Sequence, residues 1–448
     1  MQFNYSEMTE RFLKLEDELN LLYFKIDGYF PWQMVRVKVY LEILDYYLTG
    51  TEAAPPRSLF EKIVQLARRV FINSIIYNPF FDFKKSDVLI FESGRKYKAI
   101  EGKYIDIYTH YLAENLVQQG KSVSVYETYY HDKESVVKNA NVKHLDFDHF
   151  TSGLFTKFSS YKIDNQYRKT IKTIEARFHT EFDFRQDFEK LFTEGIKKFK
   201  VQYKFYSFLF GVKKPEEIFI INSSIKAGMI AAAKHKNIVV SELQHGLNSG
   251  YDVILNYPFT AENSLDYFPD RFYLWNNVNL HFSKLPLSDD RLIEFPNYHL
   301  DRMQALFSKV EREQNTILIA SQPFNVEEIR VFVEKNIFDL NNYRLIYKIH
   351  PLEDKISLEV FKNKLERFNN IEFVDNEVSI YELFKKSTYV VGIYSTALFE
   401  AEACGCNVIL LNLPGVEMAE PILKNPHNEL LDINNRFVEY LEKHPSTK

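Results

Sequence analysis

Thr316-Ile317-Leu318-Ile319-Ala320, Arg344-Leu345-Ile346-Tyr347-Lys348-Ile349, Ile371-Glu372-Phe373-Val374, Tyr389-Val390-Val391 and Asn407-Val408-Ile409-Leu410-Leu411 are short runs dominated by aliphatic, β-branched and aromatic residues. Between them lie Val326 to Lys335, Leu358 to Phe368, Ser379 to Lys386 and Thr396 to Cys404, whose apolar residues recur at helical spacing. Strand and helix alternate without exception from 316 to 411. Strands apolar along their whole length, each followed by an amphipathic helix, predict a doubly wound parallel sheet, because such strands are buried on both faces.

The same alternation, less regular, runs through the first half. Asp87-Val88-Leu89-Ile90-Phe91 reads as a strand, and Glu92 to Lys103 as a loop carrying Gly94, Arg95 and Gly102. Tyr104 to Gln119 has helical periodicity and stops at Gly120, and Ser122 to Tyr126 returns as a strand. That is one βαβ unit, with parallel strands and a right-handed crossover. Long helical segments rich in Lys, Glu and Phe fill 150–210. A second unit follows: strand Ile218 to Ile221, helix Ile225 to His235, strand Ile238 to Val240, then Ser241-Glu242-Leu243-Gln244-His245-Gly246. The first ~80 residues read helical, broken at Pro55-Pro56, with Trp32 and Arg36 one turn apart on one helix face, a packing Trp and a surface or cap-pairing Arg. The stretch 255–312 contains Pro258, Pro269, Pro286 and Pro296 and little periodicity, so it reads as the region joining two domains.

Length and composition agree with two globular domains. The chain has 448 residues, 46% hydrophobic and 26% charged, which is too long for one ordinary core and too apolar for disorder. A net charge of −5 gives no basic face for nucleic acid. No run of about 18 uncharged apolar residues occurs, so no transmembrane segment is expected. Met1 to Asp17 mixes acids and bases and does not read as a secretory signal. Cys404 and Cys406, one residue apart at a helix end, suit neither a disulfide nor a zinc site and read as small buried side chains. A reducing, cytoplasmic location is the expectation.

Three clusters at strand ends could carry chemistry. In Lys348-Ile349-His350-Pro351, Pro351 stops the strand and period two puts Lys348 and His350 on one side, a cation and an imidazole suited to a diphosphate or phosphodiester. In Gly392-Ile393-Tyr394-Ser395-Thr396-Ala397-Leu398-Phe399-Glu400-Ala401, a glycine and two hydroxyls open a helix and form an anion cradle. Glu400, one turn after Thr396, could accept hydrogen bonds from ribose hydroxyls. In Gln244-His245-Gly246, Gly246 would allow a sharp turn and His245 could act as a base or bind the donor. Asp146-Phe147-Asp148-His149 spells the Asp-x-Asp of metal-dependent transferases but follows no apolar strand, so it is not read as a metal site, and no zinc helix or P-loop occurs.

Lys-x-His-Pro followed by Ser-Thr-x-x-x-Glu-Ala resembles the C-terminal nucleotide-binding domain of GT-B glycosyltransferases of bacterial capsule and lipopolysaccharide synthesis, in the branch of HP-motif sialyltransferases and Kdo transferases. The likeness covers roughly 315 to 415. It implies an α/β fold of two Rossmann-like domains facing across a cleft, with an N-terminal helical extension: 1–265 an acceptor domain with helical insertions, 266–312 interdomain, 313–448 the nucleotide-sugar domain. It assigns donor phosphate and nucleotide contacts to Lys348, His350, Pro351, Ser395 and Thr396, and ribose or base contact to Glu400. Catalytic candidates are His245, Glu242 and Asp106; the acid-acid-Gly motif that holds the base in that branch is not evident. Gln244, Gly246, Arg95 and Gly392 are further cleft candidates.

The expected activity is transfer of a CMP-activated acidic sugar, such as Kdo or a sialic-type acid, to a glycan or lipid-linked glycan, with no metal and no cofactor. Leaving-group charge would be stabilised electrostatically, and domain closure would exclude water. Peripheral association with the inner face of the cytoplasmic membrane is compatible with such an acceptor. The alternatives are a CDP-polyol phosphotransferase (a related wall-polymer family carries a His-Gly motif in its first domain), a UDP- or GDP-sugar-dependent enzyme, and an inactive GT-B-like scaffold.

Overall fold

The computed structural model describes residues 4–49, 78–79, 82–98, 104–127, 141–246, 249–261, 264–275, 283–322, 325–375 and 377–443. The Pro55-Pro56 break, the rest of 50–77, and Gly102 with Lys103 lie outside them. The chain divides into two compact units. One comprises Thr9–His245 and Val253–His299; the other comprises Met1–Met8, Gly246–Asp252 and Leu300–Lys448.

The first unit is built on strands β1 (Val88–Phe91), β4 (Val123–Glu127), β5 (Asn141–His144), β6 (Glu217–Ile220), β7 (Val239–Leu243), β8 (Arg271–Leu274) and β9 (Leu292–Glu294), with β2 (Lys96–Lys98) and β3 (Tyr104–Asp106) forming a separate antiparallel pair. The large sheet runs β5-β4-β1-β6-β7-β8-β9, with every pairing parallel. The central strand β1 is apolar throughout because both of its faces are covered. Val88 and Ile90 pack with Leu112 and Phe219 on one side, while Leu89 and Phe91 pack with Tyr206, Phe210 and Met229 on the other. The strand order reverses between β1 and β6, which makes the carboxyl ends of those two strands the place where a crevice opens.

Two expectations are corrected here, and a third segment is placed. Tyr104 to Gln119 is not one helix: Tyr104–Asp106 pairs with Lys96–Lys98 as a strand, and the helix is His110–Gln118. The stretch 255–312 is more than a connection, since it supplies β8 and β9 to the first sheet. Asp146 and Asp148 lie in the helix Asp146–Phe158 rather than at the end of a strand, which removes the setting that an Asp-x-Asp metal pair needs.

Helix Pro31–Thr49 buries Trp32 as expected, and also Arg36, which the sequence reading puts at the surface or at a cap and which is buried because Glu16 neutralises it. Trp32 Nε1 donates to Glu16, whose carboxylate also accepts from Arg36 Nε and Nη2 at 2.7 and 2.8 Å. Arg36 also donates to the Val253 and Asn256 carbonyls. Asp164 and Asp187 cap the helices Asn165–Phe182 and Phe188–Lys213, each side chain accepting from a first-turn backbone N–H.

In the second unit, β10 (Thr316–Ala320), β11 (Arg344–Lys348), β12 (Ile371–Val374), β13 (Tyr389–Gly392), β14 (Asn407–Leu411) and β15 (Glu429–Leu431) form a parallel sheet in the order β12-β11-β10-β13-β14-β15. The helices Val326–Asn336, Lys355–Leu365, Ile380–Lys386 and Thr396–Ala403 fall where their periodicity puts them. Order reverses between β10 and β13. Cys404 and Cys406 are buried free thiols, and burial pushes the Cys406 thiol up to about 12. The α/β class and the two Rossmann-like sheets agree with the sequence.

Candidate functional sites

The second sheet brings its two predicted clusters to one edge. Lys348 is level with Ala320, and Ile319 with Val391, so the segments after β11 and β13 leave the same carboxyl edge on either side of β10. At ~4.8 Å per strand their origins are about 10 Å apart, the scale of a nucleotide phosphate with its ribose.

On the β11 side, the turn from His350 to Glu353 is closed from both ends. His350 N–H donates to Glu353 Oε1 at 2.9 Å, and Glu353 N–H donates to the His350 carbonyl at 3.0 Å. Glu353 is itself fixed by Arg330 at 2.8 Å. Pro351 turns the chain inside this loop, and the Leu352 N–H donates to His350 Nδ1 at 3.2 Å. With Nδ1 accepting, the ring N–H lies on Nε2, a donor suited to a phosphate oxygen. Lys348 is buried and donates to the Asp375 carbonyl at 2.5 Å. Burial holds its ammonium below the ordinary lysine range, with Asp375 pulling the other way.

On the β13 side, Ser395 caps the helix Thr396–Ala403, its Oγ accepting from Ala397 N–H at 3.2 Å. That leaves the Ser395 O–H and the Thr396 hydroxyl beside a helix N-terminus. Glu400 accepts from Tyr381 O–H at 3.1 Å, which orients its carboxylate. Gly392 packs closely under Leu398, and an added Cβ, 2.9 Å from Leu398 Cδ2, would make that side chain shift. Between the two sides, after β10, lies Gln322, which the sequence reading did not single out. Its Oε1 accepts from Tyr394 N–H at 3.3 Å, while its buried Nε2 has no partner among the described residues. The only signal for it in sequence is its place just beyond a predicted strand.

The first unit has a cavity of about 850 Å³ at its own reversal point. Glu92, Arg95, Tyr108, Lys198, Lys226 and His245 are among its walls. Arg95 Nη1 donates to Tyr108 Oη at 2.5 Å, and Tyr108 O–H donates to the His245 carbonyl at 2.6 Å. Burial first, then Lys226 and Arg95, lowers the His245 imidazole to about 4, so it is neutral at pH 7. Its Nδ1 is buried without a hydrogen-bond partner among the described residues. Glu92 is raised to about 8 by burial and by Asp106, although Lys96 Nζ donates to it at 2.8 Å.

The other candidates from the sequence sit around this cavity without lining it. Asp106 is fully buried and its carboxylate accepts from Ser93 N and Oγ, Gly94 N, Tyr108 N, and Thr109 N and Oγ1. With its lone pairs so engaged, it organises the Ser93–Arg95 loop rather than reaching a substrate proton. Glu242 is buried, accepts from Ser223 N–H at 3.1 Å, and has its carboxyl raised by burial. Gln244 continues the pairing of β7 with β8, donating its N–H to Tyr273 O and accepting from Trp275 N–H, both at 2.9 Å. Gly246 lacks the positive φ that a sharp glycine turn would show, and a Cβ there would meet open space. No group of three potential metal ligands converges among the described residues, and none of their helices is long and apolar enough to cross a membrane.

Residues 287–409 match the alpha-2,8-polysialyltransferase family, a span that includes both clusters of the second sheet. No curated protein matches the chain. Among solved structures, the chain is similar to UDP-GlcNAc 2-epimerase from Methanocaldococcus jannaschii, with 13% identity over 82% of this chain and 93% of that one and a TM-score of 0.48. The Neisseria meningitidis UDP-GlcNAc 2-epimerase gives 12% identity, 80% and 90% coverage and 0.48. A glycosyltransferase from Rickettsia africae gives 13%, 80% and 88%, and 0.44. The family match, with the phosphate-suited edge it spans, supports a glycosyltransferase as the class to which this chain's activity belongs.

Proposed function

We propose that the protein transfers an acidic sugar from a CMP-activated donor to a glycan of a capsule-type surface polysaccharide. The observation that carries this reading is the shared carboxyl edge of His350, Gln322 and the Ser395–Thr396 helix start, together with the family match across it. The donor's phosphate would accept from His350 Nε2–H, Gln322 Nε2–H and the Ser395 and Thr396 hydroxyls. Buried Lys348 would add positive potential beneath, and Glu400 would accept from the ribose. As the acceptor oxygen bonds to the anomeric carbon, the bond from that carbon to the phosphate oxygen breaks and its electron pair leaves with CMP. The charge growing on that oxygen is what these donors stabilise, with no metal required.

The acceptor is proposed to occupy the cavity of the first unit, with His245 as the base. Its imidazole is neutral, lines the cavity and has an open ring nitrogen.

The test is release of CMP from a CMP-sialic acid by the purified chain, with UDP-GlcNAc and CDP-glycerol in parallel. Turnover of the CMP-sugar, lost in His350→Ala, is expected. Turnover of CDP-glycerol alone would mean phosphotransfer; of UDP-GlcNAc alone, a different donor; of none, a scaffold.

A further inference from the structure

We propose that the cavity of the first unit is an anion site, binding a carboxylate or phosphate of the acceptor between Lys198 and Lys226, beside His245. This rests on the acceptor reading above and gives it a chemical class. Arg95, Lys157, Lys198 and Lys226 all line the cavity, and Glu92 is the one carboxylate among the described lining residues. That carboxylate is already engaged by Lys96. In a chain of net charge −5, such a wall is not a consequence of composition.

The lysines are not used up within the protein. Lys226 Nζ donates to the Ile221 and Asn222 carbonyls, which leaves its third N–H without a partner among the described residues. Lys198, on the helix Phe188–Lys213, makes no ion pair there either. Burial pushes Lys226 down to about 8, with Lys198 repelling it and Glu242 opposing; Lys198 is shifted down in the same way, by burial and Lys38. A half-buried ammonium at Lys226 with the more exposed Lys198 beside it on one wall is a standing cost that an anion removes.

Occupancy would also act on the base. His245 shares the cavity with Lys226 after β6, Arg95 and Glu92 after β1, Tyr108 after β3, Lys157 from one helix, and Lys198 with Tyr206 from another; Glu242 lies on β7, the strand that leads to it. An anion seated against Lys226 and Arg95 cancels the repulsion that keeps the imidazole from taking a proton. The acceptor would therefore strengthen the group that deprotonates it.

Histidine nitrogen-15 NMR on the full chain tests this, with His245→Gln assigning the signal. The probes are glucuronate, glucose 6-phosphate and glucose, three related sugars bearing a carboxylate, a phosphate or no charge. Either anion should raise the His245 midpoint by about one pH unit or more, and glucose should not. The probe that acts tells a carboxylate-bearing acceptor from a phosphate-bearing one. Lys226→Met should raise the midpoint in the free chain and remove the further rise. If that variant does not fold, Lys198→Gln, at an exposed position, should weaken anion binding about tenfold. No rise with either anion, or the same rise with glucose, overturns the proposal. CMP binding is read on a different unit, so its failure would sink the transferase reading while leaving this result standing.

Discussion

The Tyr108 hydroxyl holds the His245 carbonyl at 2.6 Å, joining the turn after β3 to the end of β7. Arg95 donates to the same hydroxyl, and the Tyr108 ring stacks on Trp275 with centroids 6.0 Å apart. Tyr108→Phe keeps the stacking and removes both hydrogen bonds. It should cost about 1 kcal/mol of stability and lower turnover more than it changes the apparent affinity for donor. Urea unfolding and steady-state kinetics measure the two effects.

Asp106 distinguishes an organiser from a base. Asp106→Asn replaces one acceptor oxygen by a donor opposite backbone N–H groups that cannot rearrange. A loss of about 2 kcal/mol or more in unfolding free energy is expected. A catalytic base would give the reverse pattern, with stability kept and turnover abolished.

Arg36 and Glu16 are a buried ion pair, their side chains 3% and 0% exposed. Arg36→Met strands the Glu16 carboxylate and two carbonyls in the core. A cost of about 3–5 kcal/mol is expected, visible as a lower denaturation midpoint, with CMP affinity of the folded fraction unchanged.

Stability should fall on acidification. His245 and His299 are both lowered to about 4, His299 by burial and by His110. Between the unfolded value near 6.5 and about 4, the unfolded chain binds protons that the folded chain refuses, so folding is favoured above this window and progressively lost as pH drops through it. Glu92, raised to about 8, and Glu242, raised by burial, contribute in the opposite sense, while His110, lowered by burial, joins the other two imidazoles, three against two. His299→Phe, which keeps a ring against Tyr97, should flatten the fall in melting temperature between pH 6.5 and 4.

How far the sequence speaks depends on whether a feature is local. The second sheet was legible strand by strand because each strand is buried on both faces and each helix has a clear stripe. Tyr104–Asp106 was misread because a three-residue strand has no period of its own, and its apolar residues run in phase with the helix that follows. β8 and β9, of four and three residues, are also short and lie among prolines. Lys348, His350, Ser395 and Glu400 stood out because strand ends are visible in sequence. Lys198 and Lys226 did not, since one is a lysine within a lysine-rich helix and the other sits in a loop, and only the fold puts them on one wall. Asp106 looked like an available acid until its six donors were visible.

Thermal shift of the full chain with CMP, CDP, UDP and GDP tests the central claim most directly. A nucleotide at a hundred times its dissociation constant adds about 2.7 kcal/mol of apparent stability. CMP or CDP should raise the melting temperature, and His350→Ala and Ser395→Ala should each abolish or sharply reduce the rise. A chain indifferent to all four nucleotides, or a CMP shift that survives both substitutions, would contradict the assignment of the donor to the edge formed by His350, Gln322 and Ser395.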